Sequence, residues 1–343
     1  GDKEYKSTTR DVKRLLKELQ DENIDGLVVD LRNNGGGSLQ EANELTGLFI
    51  EYGPTVQIRH SSRRVWRDGK RLKSDFYEGP LVVLINRLSA SASEMFAGAI
   101  QDYERGIIVG DRSFGKGTVQ TLSPLTEGQL KITESKFYRI SGDSTQHRGV
   151  VPDLAFPSLF DTEEIGESSL DHALNWDQIN SVRHRRYDDL SSVLPLITNL
   201  YEERSEANPD FVYLEDQIAM ATQTRKLEQL PLNEEKRIAL RESQESKALA
   251  IENKRRVAKG EAPLTSLDEE EEAIEQGETD EVAEVAEQND DTVADVSDSS
   301  EDTASETADS DEDETPDVLL TEAGNVLVDA LVLKKTHYAA NVS

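Results

Sequence analysis

Apolar and polar residues alternate along the first third of the chain with the periods of helices and strands. Residues 8–19 place apolar side chains at helical spacing, which predicts an amphipathic helix. The run LVVDL at 27–31 is short and apolar, as in a strand buried in a parallel sheet. The loop NNGGGS at 33–38 needs the conformational freedom of glycine, and helical spacing resumes over 39–49. The pattern predicts a strand, a glycine-rich turn and a helix in succession.

The same succession recurs further along the chain. The run LVVLI at 81–85 predicts a second buried strand, and the small residues SASAS at 89–93 lead into a second helix. The run IIVG at 107–110 predicts a third buried strand. Alternating strands and helices predict a layered α/β core. Other strands are predicted at 55–59, at 64–67 before a turn at 68–69, and between 130 and 140.

After residue 153 the pattern changes. Residues 170–257 are rich in Leu, Glu, Arg and Gln, which predicts a helical region. A last helix is predicted from Thr321, and we expect its apolar stripe between Val326 and Leu331 to pack on this helical region. The separate helices of the region are predicted at 193–203, 212–222 and 234–256.

Acidic residues outnumber basic ones, and most of the excess lies in one segment. The net charge is −31, and residues 268–317 hold 24 of the 69 acidic residues and no Lys or Arg. Such a segment has too little apolar surface to offset the entropy lost on ordering, so we expect a disordered linker. The acidity argues against nucleic acid as a partner, because nucleic-acid binding needs a basic surface.

Cysteine is absent, which excludes disulfides, thiolate nucleophiles and cysteine-based metal sites. The lack of thiols suits an exported protein. No apolar run approaches the ~20 residues of a membrane-spanning helix. The chain begins with Gly1 rather than Met, so we expect the natural N-terminus, with any targeting signal, to lie upstream.

Two polar residues beside the predicted strands form a candidate nucleophile–base pair. Ser91 lies between a strand and a helix, where helix N-terminal N–H groups can stabilise a developing oxyanion. Lys116 lies 25 residues further on and, when neutral, can take the proton of a serine hydroxyl. Spacing alone does not decide among Ser89, Ser91 and Ser93. Ser91 and Glu94 also match a helix capping box, which is a purely structural motif.

Other interpretations of these segments are open at the level of sequence. The spacing from Gly110 to Lys116 resembles a phosphate-binding P-loop, but Gly117 stands where that loop needs Ser or Thr. Lys116 could instead be a turn residue that points into water. A Ser-His-Asp triad could be built with His147, although no sequence feature singles it out. The glycines at 35–37 either supply an oxyanion N–H group or only form a turn.

Three sequence blocks together resemble one enzyme family. They are GLVVDLRNNGGGSLQEA at 26–42, SASASEMFAGAIQDYERGIIVGDRSFGKGTVQ at 89–120 and HRGVVPD at 147–153. Their order and spacing are similar to those of the tail-specific, or C-terminal processing, serine peptidases. The helical region and the last helix resemble the long C-terminal extension of periplasmic members. The resemblance covers residues 1–260 and 318–333.

The resemblance implies a role for each matching residue. Ser91 corresponds to the nucleophile, Lys116 to the general base and Gln120 to the residue that orients the lysine. Asp102 corresponds to an acidic residue implicated in activity. The family needs no metal or other cofactor. The implied oxyanion hole uses the N–H groups of Ala92 and of a loop glycine, Gly36 or, preferably, Gly37.

The resemblance also implies an architecture and a setting. In the family a PDZ domain precedes the core, and nothing before Thr8 is long enough to form one, so we expect a fragment. The implied partners are protein substrates with exposed, unstructured C-termini and a protein adaptor, and the implied location is the periplasm. The alternative functions are a non-catalytic ligand-binding module and a P-loop NTPase. We expect a crotonase-like α/β protease core at 1–157 and an all-helical C-terminal domain at 158–262. A disordered acidic linker at 263–317 and a docking helix at 318–335 are expected to follow.

Overall fold

The computed structural model describes residues 6–62, 64–227, 229–267 and 317–342, without the side chains of 335–342. Most of the predicted acidic linker, residues 268–316, lies outside the described residues. The chain divides into a first unit, Gly1–Glu206 with Val318–Ser343, and a second unit, Ala207–Asp317. These bounds differ from the predicted division after residue 157.

Helices lie between the strands Leu27–Asp30, Leu81–Ile85 and Ile107–Gly110 in the first 110 residues, which confirms the predicted α/β core. The strands in chain order are β1 (Leu27–Asp30), β2 (Gly53–His60), β3 (Val65–Lys70), β4 (Leu81–Ile85), β5 (Ile107–Gly110), β6 (Thr118–Pro124), β7 (Gln129–Tyr138) and β8 (Leu154–Ala155). The α-helices are α1 (Thr8–Asp21), α2 (Leu39–Thr46), α3 (Ala92–Asp102), α4 (Leu194–Ala207), α5 (Pro209–Arg225), α6 (Glu234–Lys259) and α7 (Val318–Val342).

A parallel sheet forms the centre of the first unit. Its strands lie in the order β1, β4, β5 and β8. The three apolar runs of the sequence are β1, β4 and β5, and every residue of β4 and β5 is buried. The chain leaves the carboxyl ends of these strands through the glycine loop, the serine repeat and the loop that contains Lys116. The parallel register therefore brings three distant segments to one edge of the sheet.

An antiparallel sheet, in the order β3, β2, β7 and β6, packs beside the helices. Val56 of β2 and Met95 of α3 share one hydrophobic cluster. The turn predicted at 68–69 is instead part of β3, where Gly69 pairs with Pro54 next to an irregularity in the register. A Cβ at Gly69 would lie 2.5 Å from a backbone oxygen of β2, so this close approach needs glycine.

The second unit contains the helices α5 and α6, close to the bounds that the sequence predicts. Asn208 and Asn233 cap their N-termini through side-chain oxygens. Asp210 of α5 accepts a hydrogen bond from Arg255 at 2.7 Å and pairs with Lys259 at 2.9 Å. Because all three side chains are partly buried, these contacts help to fix the two helices to each other.

The segment 158–193 is not helical, contrary to the predicted all-helical domain that starts at 158. Its helical content is limited to two short 3-10 turns, Glu167–Ser169 and Leu190–Ser192. Its backbone instead bonds to loops of the first unit: Val182 N–H donates to Ile140 O at 2.8 Å. Further hydrogen bonds of this kind join Ile179 to Gly142 and Tyr187 to Tyr103. Hydrogen bonds to distant parts of the chain thus satisfy backbone groups that a helix would satisfy within itself.

The last helix, α7, packs on the parallel sheet, whereas its apolar stripe was expected to pack on the helical region. Its contact with that region includes an ion pair with α4. It contacts β1 and β4, and its Val326 is fully buried. A Cβ at Gly26, just before β1, would lie 2.9 Å from the side chain of Leu327. Glu322 pairs with Arg204 of α4 at 2.6 Å. Among the described residues, no helix combines the length and apolar character needed to cross a membrane.

Replacing Arg204 with alanine should lower the free energy of unfolding on the order of 3 kcal/mol, because the buried carboxylate of Glu322 would lose its cationic partner. A matched control is Arg14→Ala, since the ion pair of Arg14 with Glu18 is exposed on both sides and should contribute less than ~1 kcal/mol. Denaturant unfolding followed by circular dichroism measures both losses. Equal losses in the two variants would contradict the anchoring role of Arg204.

Candidate active site

Ser91 is held in an unusual backbone conformation at the N-terminus of α3. Its φ is 58° and its ψ is −110°. The capping residues Ser7 and Ser38 of α1 and α2 instead have the ordinary extended conformation. A non-glycine residue outside the common regions costs of order 1–3 kcal/mol, and such strain is concentrated at functional sites. Ser91 is therefore more than an ordinary helix cap.

The structure separates the three serines that spacing could not distinguish. The hydroxyl of Ser89 is buried, donates to Leu31 O at 2.8 Å and accepts from Asn86 N–H at 3.0 Å. The hydroxyl of Ser93 donates to Asn34 O at 3.0 Å. Both hydroxyls tie the serine turn to neighbouring loops, so both have structural roles. Ser91 is left as the candidate nucleophile.

The glycine loop lies directly against the serine turn. A Cβ at Gly36, which has a φ of 89°, would lie 2.5 Å from Ala90 O and 2.6 Å from Ala92 N. Gly36 is therefore required for close approach. Its N–H donates to Asn34 Oδ1 at 2.9 Å and is not available to an oxyanion. Within the described residues, the N–H groups of Gly37 and Ala92 donate no hydrogen bond, which leaves these two as oxyanion-hole candidates.

One buried carboxylate connects the serine turn to the loop of Lys116. Glu94 is 0% exposed. Its Oε2 accepts from Ser91 N–H at 2.7 Å and from Lys116 N–H at 2.9 Å. Its Oε1 accepts from Gly115 N–H at 2.7 Å and from the Ser113 hydroxyl at 2.6 Å. The sequence showed Glu94 only as half of a capping box, and its contacts across 22 residues were not predictable from that motif.

Burial raises the pKa of Glu94 to about 7, although its four hydrogen-bond donors favour the ionised form. The folded protein therefore binds this proton more tightly than the unfolded chain does. Between the ordinary value of 4.5 and about 7, the folded state carries the extra proton. The contribution of Glu94 to the free energy of unfolding is consequently largest at low pH and declines as the pH rises through this window.

Replacing Glu94 with glutamine should remove this pH dependence. Unfolding free energies measured from pH 4.5 to 8 should fall with rising pH on the order of 3 kcal/mol more in the wild type than in Glu94→Gln. The variant should also lose activity. The amide NH₂ group of glutamine would replace a carboxylate oxygen that accepts two hydrogen bonds, and an NH₂ group cannot accept them. A pH dependence that is the same in both proteins would show that Glu94 does not titrate in this window.

Lys116 lies in a loop that places its side chain at the same edge of the sheet. The side chain is half-buried, and among the described residues its Nζ makes no hydrogen bond or ion pair. Gly115, with a φ of 95°, and Gly117 flank it. The chain then enters strand β6 at Thr118, whereas a P-loop leads into a helix. The structure thus opposes the nucleotide-binding interpretation.

Among the described residues, no hydrogen bond joins the side chain of Gln120 to Lys116. Gln120 is exposed on β6, and its Nε2 donates to Thr133 Oγ1 across the β6–β7 hairpin at 3.4 Å. The ladder between β6 and β7 shifts register between Val119 and Gln120. Such an irregularity changes the face on which the next side chain lies. The lysine-orienting role of Gln120 is an expectation that this geometry does not meet.

Asp102 is also remote from Ser91. It ends α3, about 16 Å along the helix axis from the serine turn. Its buried carboxylate pairs with Arg139 and accepts from Ser141 N–H at 3.2 Å. These contacts fix the end of α3 to the chain that follows β7. The structure assigns Asp102 a structural place, not a place at the reacting atoms.

His147 lies beside the Lys116 loop without forming a triad. Its backbone N–H donates to Gly115 O at 2.9 Å. Its Nε2 is buried and has no hydrogen-bond partner among the described residues. A triad requires a carboxylate bonded to the imidazole, and in the described part of the chain no carboxylate occupies that position.

Two family descriptions match consecutive parts of the chain. Peptidase family S41 matches residues 3–156, and the C-terminal domain of tail specific protease matches residues 160–332. The chain belongs to the tail-specific proteases of family S41. The resemblance identified from the sequence blocks is confirmed. The boundary between the two matches falls at 157–159, within the first unit.

Individual relatives agree with this assignment. The tail-specific protease of Haemophilus influenzae is 40% identical over 279 residues, which are 77% of this chain and 40% of that protein. The carboxy-terminal-processing protease of Bartonella bacilliformis is 42% identical over 153 residues, 43% of this chain and 35% of that protein. A solved photosystem II D1 C-terminal processing protease is 36% identical, with a TM-score of 0.40 over 46% of this chain and 42% of that chain. The chain spans less than half the length of these relatives.

Proposed function

We propose that this chain carries the catalytic part of a serine endopeptidase that cleaves proteins from their C-terminal tails. The observation that supports this most is the shared carboxylate of Glu94, which holds the backbones of Ser91 and Lys116 together. The strained conformation of Ser91 and the free N–H groups at the same turn support the same function. A site of this composition suits acyl transfer through a Ser-Lys dyad.

The proposed reaction uses four groups of the chain. Ser91 Oγ attacks the peptide carbonyl while Lys116 Nζ takes the hydroxyl proton. The N–H groups of Ala92 and Gly37 stabilise the oxyanion of the tetrahedral intermediate. Lys116 then gives its proton to the leaving amine, and the acyl-enzyme ester remains on Ser91. Water, deprotonated by Lys116, hydrolyses this ester and regenerates the hydroxyl.

The setting of the enzyme is part of the proposal. Its substrates are proteins with exposed, unstructured C-termini, delivered in the periplasm, with a protein adaptor as a further partner. The core is of the crotonase-like type. Helix α7 lies against the parallel sheet of the first unit, where Glu322 and Val326 are buried.

Labelling with a fluorophosphonate tests the function. The full-length protein should be labelled on Ser91, and Ser91→Ala should not be labelled. A non-catalytic ligand-binding module would not react in either form, which separates the two functional classes. Reaction at another serine would contradict the assignment of the nucleophile. Saturable ATP binding without labelling would support the nucleotide-binding alternative instead.

A further inference from the structure

We infer that residues 162–167, here named the strap, position the loop of Lys116 and so form part of the active centre. This inference rests on the proposed Ser-Lys function and deepens it. The strap lies in the part matched by the C-terminal domain of tail specific protease, whereas Lys116 lies in the part matched by the peptidase. The strap therefore carries a contribution of the C-terminal domain to catalysis.

The first connection runs through a buried arginine. Arg87 is 0% exposed, and among the described residues it forms no ion pair. Its guanidinium donates to Ile165 O at 2.5 Å and to Thr162 O at 3.3 Å, both in the strap. It also donates to Ser113 O, three residues before Lys116. One planar cation thus joins the strap to the catalytic loop through carbonyl groups.

Glycine is needed where the strap crosses this cation. Gly166 has a φ of 135°, and a Cβ there would overlap the guanidinium of Arg87. A buried, unpaired cation is costly unless its hydrogen bonds are made. The strap supplies two of the carbonyl groups that accept from Arg87, so the geometry of the strap and the position of the cation depend on each other.

The second connection encloses Lys116 from both sides. The backbone N–H of Glu167 donates to Phe114 O at 3.0 Å. The carboxylate of Glu167 accepts from Gln146 Nε2 at 2.9 Å, and Gln146 Oε1 accepts from Gly117 N–H at 2.9 Å. Gln146 is 0% exposed, so neither bond is replaced by water. Glu167 therefore fixes the chain two residues before Lys116 and one residue after it.

These contacts complement those of Glu94. The carboxylate of Glu94 holds the loop against the serine turn, and the strap holds the opposite side of the same loop. Displacement of a catalytic group by about 1 Å can reduce the rate by about 100-fold. Release of the strap should therefore reduce turnover even when the protein remains folded and Ser91 is intact.

The test compares three variants of the full-length protein in steady-state cleavage of a tailed peptide. Glu167→Ala should lower kcat roughly 10- to 100-fold with little change in KM, because the loop that carries Lys116 loses its position while Ser91 and its turn are unchanged. Glu167→Gln should recover most of the activity, since its amide oxygen still accepts from Gln146. The matched control is Glu203→Ala, which replaces an exposed glutamate of α4 outside the strap and should resemble the wild type.

Thermal unfolding of each variant separates positioning from loss of fold. If Glu167→Ala is unfolded at the assay temperature, Glu167→Asp, whose shorter side chain cannot reach Gln146, replaces it. A folded Glu167→Ala or Glu167→Asp with wild-type kcat would overturn the inference. The proposed function fails by a different result, namely retained cleavage or labelling in Ser91→Ala. If Ser91→Ala is inactive and Glu167→Ala is fully active, the proposed function stands and the inferred role of the strap is wrong.

Discussion

Replacement of Ser91 by alanine should abolish peptide hydrolysis, with a fall in kcat of roughly 10⁴-fold or more. The variant lacks the hydroxyl that forms the acyl-enzyme, while the backbone contacts of the turn do not depend on the side chain. Ser91 N–H can still donate to Glu94, so the fold should persist. Hydrolysis of a tailed peptide, together with circular dichroism, measures both properties in the full-length protein.

The neighbouring serines provide the control for this experiment. Ser93→Ala should retain most of the activity, because the hydroxyl of Ser93 only binds the backbone and side chain of Asn34. Ser89→Ala should lower stability by about 1 kcal/mol, because it removes a buried hydrogen bond to Leu31 O, but it should keep a competent nucleophile. An inactive, folded Ser89→Ala beside an active Ser91→Ala would refute the assignment of the nucleophile.

Replacement of Lys116 by arginine should be nearly as damaging, with a loss of roughly 10²- to 10⁴-fold in kcat. A guanidinium stays protonated and cannot take the proton of Ser91, although it preserves the positive charge. The side chain of Lys116 is half-buried, and its Nζ has no ion-pair partner within the described residues. Replacing the ammonium group should therefore not unfold the protein. The rates of hydrolysis and of fluorophosphonate labelling measure the step in which Lys116 takes the proton of Ser91.

Lys131→Arg is the matched control, because Lys131 is exposed on the β6–β7 hairpin and should tolerate the change. Chelation with EDTA should leave the wild type active, since the proposed dyad uses no metal. Wild-type activity in Lys116→Arg, or loss of wild-type activity with EDTA, would contradict a Ser-Lys mechanism.

Two domains of the family meet at the proposed active centre. The catalytic loop is held on one side by Glu94 of the peptidase part and on the other by Glu167 of the C-terminal part. Residues on both sides of the boundary predicted at residue 157 therefore contact the loop that carries Lys116. Residues beyond it satisfy backbone and side-chain groups of the loop that carries Lys116.

Local sequence patterns were enough to predict the elements of the core. The apolar runs at 27–31, 81–85 and 107–110 predicted strands correctly, because a short run of apolar, largely β-branched residues suits a strand covered on both faces. The helices of the second unit followed from the helical composition of their region. The three sequence blocks at 26–42, 89–120 and 147–153 were enough to identify the family, since their order and spacing are specific to it.

Only the folded structure shows which residues from distant parts of the sequence lie close together. Neither the convergence of Ser91, Lys116 and Glu94 nor the separation of Asp102 from them follows from spacing, because the parallel sheet and the length of α3 set those distances. The register shift at Gln120 and its hydrogen bond with Thr133 were likewise not predictable from the sequence pattern. Local patterns record which face of an element is apolar, but not which other element covers it. For that reason the sequence predicted the existence of α7, and only the packed structure placed it on the parallel sheet.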